Sequence, residues 1–424
     1  MSSQAFVRQA IPLILAIFIA HGATADAALP DPLRLVDVAA IAMDGRAEVA
    51  AARARADALA RRPAIVSALE DPTVSASIDH YPYKAPEMEG SSRYNRSFTI
   101  EQRFPLSRVR THRGDAARAD AERANALAAA TGLDVVQDAQ RNFLMLHERR
   151  RMKTVVDEQI ALAQQLVSAA ASRYASGAGV QADILRAEVE VARLKAEQQV
   201  QAAQSRSAEA MLNVSLGRSA QSVIPALWYQ PNREEPPTAA LLLERAASHR
   251  PELGVGTAEV RRATAEIEVM RSMYKPMAMV RIGQARTMAD GDGAMLMIGI
   301  NIPIWRERLD AGVSEARAMQ RMADADLESM RRMVSGEVLA AREKVNAART
   351  QWFALTSEVL PRALVATDSA LAGYASGKGS LVALIESARA LWSIQAELVM
   401  AESALGDAWA RLDRATGTRQ DTKP

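Results

Sequence analysis

The amino-acid sequence contains one large pattern twice, with the two copies about 200 residues apart. The letters YASG that begin at Tyr174 recur at Tyr374, an offset of 200 residues. The run RFPL around Pro105 is matched by NIPI around Pro303, an offset of 198 residues. An offset this long indicates tandem duplication of a large unit and excludes a solenoid of short repeats. Each local structure that one copy forms is therefore expected again in the other.

Each copy contains two segments in which apolar and polar residues alternate. Val74, Ala76 and Ile78 alternate with small polar residues, and the run SFTIEQRF (97–104) alternates in the same way. The second copy repeats this in MAMVRIGQ (277–284) and AMLMIGINIPI (294–304). A period of two residues is typical of strands with one apolar face. We predict strands at about 73–83, 95–105, 277–288 and 294–304.

The rest of each copy favours long helices. Apolar residues make up 49% of the chain, but aromatic residues only 4%, and much of the apolar content is alanine, the strongest helix former. We predict a helix from Leu33 to Arg62, ended by Pro63, and helical hairpins at 106–217 and 305–416. The second arm of the first hairpin carries two adjacent stripes of small and apolar residues, which favours packing on both sides of the helix: Ile184, Ala187, Val191 and Leu194 in one, and Leu185, Val189, Ala192 and Ala196 in the other.

The N-terminus has the pattern of a secretory signal peptide. Arg8 precedes an apolar run from Ala10 to Ala20, and small residues follow. The alternative is a membrane anchor, for which the run is short. We predict a signal peptide at 1–27, a first repeat at 28–224, a proline-rich linker at 225–238, a second repeat at 239–417 and a disordered tail at 418–424.

Composition excludes several classes of function. The 52 basic and 50 acidic residues nearly cancel, whereas nucleic-acid-binding domains usually have a basic excess, so no nucleic-acid partner is expected. The chain has no cysteine, which excludes disulfides, thiolate metal sites and a lipid-modified cysteine. No phosphate-binding loop, nucleophile motif or histidine pair is present, so we expect neither an enzyme nor a cofactor.

Four strands are too few to close a barrel, and open sheet edges are not tolerated in lipid. Three copies of the chain would supply twelve strands, an even number within the range of bacterial barrels. Two or four copies would also give an even number.

The ordered set of strand pair, F/I-P-L/I and Y-x-x-G hairpin turn, present twice, resembles the TolC family of outer-membrane efflux channels. The resemblance covers the chain after residue 27. It implies a mainly α fold with a small transmembrane β part: four strands per protomer, a twelve-stranded barrel in a homotrimer, and long antiparallel helical hairpins that form a periplasmic tunnel. The implied partners are outer-membrane lipid, a periplasmic adaptor (membrane fusion protein) and an inner-membrane RND-type pump.

The resemblance also implies that the helix–helix turns dock the adaptor. The family pattern often has a serine or threonine three residues after the turn glycine. Ser380 fits this pattern in the second copy, and Val180 departs from it in the first. The turn residues are Ser176, Gly177, Ala178 and Gly179 in the first copy, and Ser376, Gly377, Lys378, Gly379 and Ser380 in the second.

Related channels carry two acidic residues just past the second turn, around a closed entrance. Aligned on Tyr374 and Gly377, these positions fall on Ala383 and Glu386, so one acid is lost in the second copy, and the first copy keeps Asp183 at the earlier position. Repeated by three-fold symmetry, each of these acids would form a ring of carboxylates that concentrates cations. The alternative is that both residues are acids in the first turn of a helix, where they stabilise its N-terminus.

Methionines cluster around the second strand pair, and Met279, Met295 and Met297 fall on its polar face. Thioethers are soft ligands that select Cu(I) or Ag(I), and overall resemblance to the CusC/CzcC branch points to heavy-metal export. The alternative is that methionine fills irregular space. The expected function is a passive efflux conduit for heavy-metal cations (copper/silver or zinc/cobalt/cadmium) or drugs.

Two other classes of envelope protein compete with the channel. A periplasmic adaptor also has a long helical hairpin, but only one, with more strands on either side. A structural coiled-coil protein would not need the strand pairs.

Overall fold

The computed structural model describes residues 28–79, 94–287 and 291–418. The predicted signal peptide at 1–27, most of the predicted tail, and the strand ends at 80–83 and 288 lie outside these described residues.

The described part of the first copy has a helical pair, a strand pair and a helical hairpin, in that order. Its elements are β1 Leu33–Arg34, α1 Leu35–Gly45, α2 Ala47–Ser67, β2 Thr73–Asp79, β3 Asn95–Pro105, α3 Val109–Ala175 and α4 Gln181–Ser215.

The second copy repeats this order. Its elements are β4 Leu227–Trp228, α5 Ala239–His249, α6 Pro251–Ser272, β5 Met277–Thr287, β6 Gly291–Asn301, α7 Arg306–Ala354, a π-helical turn at Leu355–Val359, α8 Leu360–Ala375 and α9 Leu381–Thr416.

The four long strands form one antiparallel sheet in the order β2-β3-β5-β6. The two copies therefore meet at the β3–β5 pair, in which Ile100 lies opposite Ile282. The alternation predicted four strands, and the sheet confirms them. β6 ends at Asn301, earlier than predicted, because Pro303 has no N–H to donate to a sheet. The sheet has one apolar and one polar face, and β2 and β6 form its two edges.

The helices form an elongated body around α3, which packs against α2, α4, α6 and α9. One buried cluster contains Phe143 and Leu212 from the first copy, and another contains Val338 and Leu405 from the second. None of the helices in the described ranges has both the length and the apolar character needed to cross a membrane.

The prediction that Pro63 ends the first helix is wrong. α2 continues through Pro63 to Ser67, and the helix instead breaks between α1 and α2, at Arg46. The reason is tertiary: a Cβ on Gly45 would lie 2.4 Å from the Leu216 carbonyl oxygen, so the end of α4 packs directly on this break.

The second copy has the same arrangement. Gly217 and Gly417 follow α4 and α9 with φ of +72° and +71°. A Cβ on Gly217 would lie 2.1 Å from the Gly45 oxygen, and a Cβ on Gly417 would lie 2.5 Å from the His249 oxygen. In both copies the end of the last helix contacts a break in the first helical pair, which supports the duplication at the level of packing.

Alternation in the sequence did not predict β1 and β4. These two-residue strands pair in parallel, with Leu33 opposite Leu227, and Leu33 is fully buried. The proline-rich segment between the copies is therefore held against the start of the first one.

Candidate functional site

The two helix–helix turns have the same backbone structure. Gly177 and Gly377 have φ of +74° and +79°, the left-handed conformation that favours glycine after a helix. The next residues, Ala178 and Lys378, each donate an N–H at 2.9 Å to the carbonyl five residues earlier. The repeated YASG letters thus produce repeated geometry.

The turn residues named above are exposed, apart from the half-buried Gly179. Ser380 caps α9 by accepting the Ala383 N–H at 3.2 Å, whereas Val180 gives α4 no side-chain cap. The departure of Val180 from the family pattern therefore has a structural consequence, the loss of one capping hydrogen bond.

The two turns contact each other through Arg173 and Tyr374. The Arg173 guanidinium lies 4.7 Å from the centre of the Tyr374 ring, and it donates to the Tyr374 carbonyl and, at 3.1 Å, to the Ala178 carbonyl. Tyr374 is 2% exposed, whereas its equivalent Tyr174 is 49% exposed. The duplicated tyrosines therefore have different roles, because only the second one is enclosed between the two hairpins.

The two predicted gate acids occupy different environments. Asp183 accepts a hydrogen bond from the Tyr374 hydroxyl at 3.4 Å and lies 3.9 Å from Arg186. Burial, and then the Asp183 charge, raise the pKa of Tyr374, so this hydroxyl stays protonated as a donor. Glu386 is exposed and lies beyond the first turn of α9. Asp183 therefore lies in the first turn of α4, as the alternative expects, whereas Glu386 does not lie in the first turn of α9.

A third acidic residue near the turns was missed by sequence reasoning. The Glu190 side chain is 3% exposed and accepts two hydrogen bonds from Arg389 of α9, one of them at 3.2 Å. Arg193 lies 3.8 Å from the same carboxylate. The available signal was position, since Glu190 falls within the buried stripe that contains Ala187 and Leu194. A carboxylate in such a stripe requires a cationic partner.

The polar face of the sheet carries a charged cluster. Glu101 on β3 accepts from Arg281 on β5 at 3.0 Å and from Arg103 at 3.1 Å. The glutamate side chain is 8% exposed, but the arginine side chains are 35% and 60% exposed. This cluster therefore presents more positive than negative charge. Neighbouring hydroxyl groups pair across β2 and β3, Ser75 with Thr99 and Ser77 with Ser97, each at 2.8 Å.

The three methionines on this face lie beside these groups. Met297 is opposite Arg281, Met295 is opposite Gly283, and Met279 lies between Arg103 and Gly299. A Cβ on Gly299 would lie 2.9 Å from the Met279 methyl carbon, so this side chain covers the glycine. Two adjacent arginines and a space-filling contact favour the packing alternative over cation binding.

Among the described residues, no group of three or more histidine, cysteine, aspartate or glutamate side chains has a geometry that could hold a metal ion. His80, an isolated histidine, and Met288, one of the methionines clustered around the second strand pair, lie outside the described ranges.

Comparison with known proteins supports the channel interpretation. Residues 242–418 match the family model described as outer membrane efflux protein. The chain is 25% identical over 336 residues to the cobalt-zinc-cadmium resistance protein CzcC of Cupriavidus metallidurans, covering 78% of this chain and 79% of CzcC.

Solved channels have the same fold. The structure of CusC matches at a TM-score of 0.77 with 15% identity, covering 91% of this chain and 92% of CusC. The outer membrane protein VceC of Vibrio cholerae matches at 0.76 with 16% identity, covering 91% of this chain and 96% of VceC.

The family match, the similarity to CzcC and the shared fold agree with the two-faced sheet and the duplicated hairpins. Residues 242–418 carry the outer membrane efflux protein match, which places the protein in the outer membrane, and the described chain has the fold of solved outer-membrane channels.

Proposed function

We propose that three copies of this chain form a closed channel that conducts substrates passively from a pump and adaptor to the outside. The observation that carries this proposal is the four-stranded sheet, which has one apolar face, one polar face and two edge strands. Edge strands in lipid must be paired. Pairing of β2 with β6 of the next protomer would close a twelve-stranded barrel, with the apolar faces towards lipid and the polar faces around water.

The exposed stripe on α4 supports the same assembly. Leu185 and Val189 are 54% and 62% exposed, although Ala187 and Leu194, on the other side of the helix, are buried. A neighbouring protomer that packs against this stripe would continue the helical wall of the tunnel.

We propose that the two turns dock the adaptor and that Asp183 and Glu386 line the entrance. The exposure of the turn residues supports docking. In a trimer, Glu386 and Asp183 would form separate rings, and the hydrogen bond from Tyr374 to Asp183 would hold one ring in place. Such rings favour cations over anions at the entrance.

The proposed substrates are heavy-metal cations delivered by an RND-type pump, because the name of the relative CzcC refers to cobalt, zinc and cadmium resistance. A deletion strain is tested for growth on cobalt, zinc, cadmium, copper, silver and a drug panel, with the wild-type gene restored as the control. Metal sensitivity that is reversed by the gene supports this substrate class. Sensitivity to drugs alone would assign the channel to drug export.

The three methionines can be tested in the same strain. A variant with Met279, Met295 and Met297 all replaced by leucine keeps their volume and removes the thioether sulfurs. Unchanged metal resistance supports the packing role, and a loss of copper or silver resistance alone supports a ligand role.

A further inference from the structure

The apolar face of the sheet ends in a charged row at the end distant from the helices. In this row Ile78, Arg96, Arg286 and Asp292 are consecutive cross-strand neighbours on β2, β3, β5 and β6. The next row towards the helices is Ala76, Phe98, Gln284 and Ala294, and the row after that is Val74, Ile100, Ile282 and Leu296. The two arginines, here called the outer arginine pair, therefore share a face with the lipid-facing residues and not with Glu101.

Strand geometry places this pair at the outer edge of the membrane. Arg96 precedes Phe104 by eight residues on β3, which is about 27 Å along a strand. A tilt of about 40° reduces this to about 20 Å of depth, and the apolar band of such barrels is about 25 Å tall. Ile302, which is exposed and continues the alternation of β6, extends the apolar face at the helical end. Because the helices are periplasmic, the outer arginine pair lies at the headgroups of the outer leaflet.

The charges within the row do not balance. Arg286 contacts Asp292, with 3.2 Å between Nε and Oδ1, and that carboxylate is 73% exposed. Arg96 lies directly opposite Arg286 and brings a second positive charge. Like charges opposite each other on a sheet are unfavourable, so this arrangement favours an external anion that contacts both guanidinium groups.

We propose that the outer arginine pair binds a phosphate group of an outer-leaflet phosphorylated glycolipid. Guanidinium groups present paired N–H donors that match phosphate oxygens, and clustered basic residues at headgroup depth attract anionic lipids. Three-fold symmetry would repeat the site around the barrel. This inference rests on the proposed function, because it requires the apolar face to contact lipid.

The test compares three purified trimers in the full chain: wild type, the double variant R96Q/R286Q, and R103Q. The R103Q control removes an arginine from the same strand but from the opposite face. Each trimer is stripped of lipid and inserted into phosphatidylethanolamine vesicles that contain lipopolysaccharide or its dephosphorylated form. Glycolipid bound per trimer is then measured by mass spectrometry after re-extraction.

We expect wild type and R103Q to retain the phosphorylated glycolipid, and the double variant to retain about tenfold less, consistent with losing charge-assisted hydrogen bonds. Wild type should retain the dephosphorylated glycolipid as weakly as the double variant retains the phosphorylated form. Equal retention by wild type and double variant, or equal retention of the two glycolipids, would overturn the proposal. Conductance is measured in the same vesicles, and its absence in wild type would count against the barrel itself, which separates the two failures.

Discussion

An ion pair links the two hairpins in a seam where the helices otherwise pack through small and apolar side chains. The acid is Glu190, whose carboxylate is buried in an alanine- and leucine-lined seam and is paired with Arg389 from the other copy. A buried carboxylate without its partner is costly. The pairing therefore fixes α4 relative to α9 close to the proposed entrance.

Glu190→Gln should weaken this contact, because the amide keeps the shape of the side chain but loses the charge-assisted hydrogen bonds. Arg389 is half-exposed, so we expect a modest loss of about 1 kcal/mol. Larger conductance fluctuations in planar bilayers and a lower melting temperature would show it. The control Glu188→Gln changes an exposed glutamate on the same helix and should alter neither property. Equal behaviour of the two variants would contradict the role assigned to Glu190.

Asp413 near the end of α9 gives the protein a pH dependence. Burial raises the pKa of its carboxyl to about 8, against the opposing effect of Arg245. Because the folded state holds this proton more tightly than the unfolded chain does, its stabilising effect is complete below about pH 4, declines as the pH rises, and is lost above pH 8.

Asp413→Asn imitates the protonated form at every pH. We expect the variant to melt a few degrees higher than wild type at pH 8 and to lose part of the pH dependence between pH 4 and 8. Thermal melting followed by circular dichroism at several pH values provides the measurement. The control Asp407→Asn removes a carboxylate that pairs with Arg411 on the same helix and should not raise the melting temperature. An Asp413→Asn curve parallel to wild type across this range would contradict the assignment.

At the scale of elements, the sheet depends on close contact between the two copies. β3 and β5 are the strands that join them, and Gly283 lies where a side chain has no room. A Cβ at this position would lie 2.2 Å from the Phe98 carbonyl oxygen and 2.9 Å from the Thr99 Cα. The absence of a side chain at Gly283 therefore allows the β3–β5 pair to form.

Gly283→Ala should force β3 and β5 apart and destabilise the assembled channel by about 1–3 kcal/mol, the usual cost of overpacking. The matched control is Gly293→Ala on β6, where the nearest atom to an added Cβ is 3.9 Å away. Heat-modifiable migration on gels reports the temperature at which each assembly comes apart. The same dissociation temperature for both alanine variants would show that the contact at Gly283 is not limiting.

At the scale of the whole molecule, the exposed apolar surfaces indicate an assembly. A single protomer exposes Ile298 and Ile300 on the sheet and Val189 on α4, all by more than half. Burying these residues against lipid or another protomer would remove apolar surface from water, which stabilises the assembly by about 25 cal/mol for each Å². Stability of the protein should therefore be inseparable from its oligomeric state.

Val189→Asp should prevent assembly without unfolding the helices, because it places a charge in the proposed interface between protomers. Light scattering in detergent should show monomers, and circular dichroism should show unchanged helix content. The control Gln204→Asp adds the same charge at an exposed position of α4 that lies outside the stripe, about 60° around the helix from Val189 and further from the other stripe residues, and it should leave the trimer intact. A Val189→Asp trimer as stable as wild type would exclude this stripe from the interface.

The sequence by itself determined the duplication, the four strands and the hairpin turns, because these depend on local rules: alternation for strands, alanine for helices and glycine for left-handed backbone. Tertiary structure decided where the first helix breaks, since the break lies at Arg46, where Gly45 makes close contact with Leu216. It also decided which tyrosine is enclosed and which arginine pairs with Glu190. Those choices join residues about 200 positions apart, and no local pattern encodes which helix face meets which neighbour.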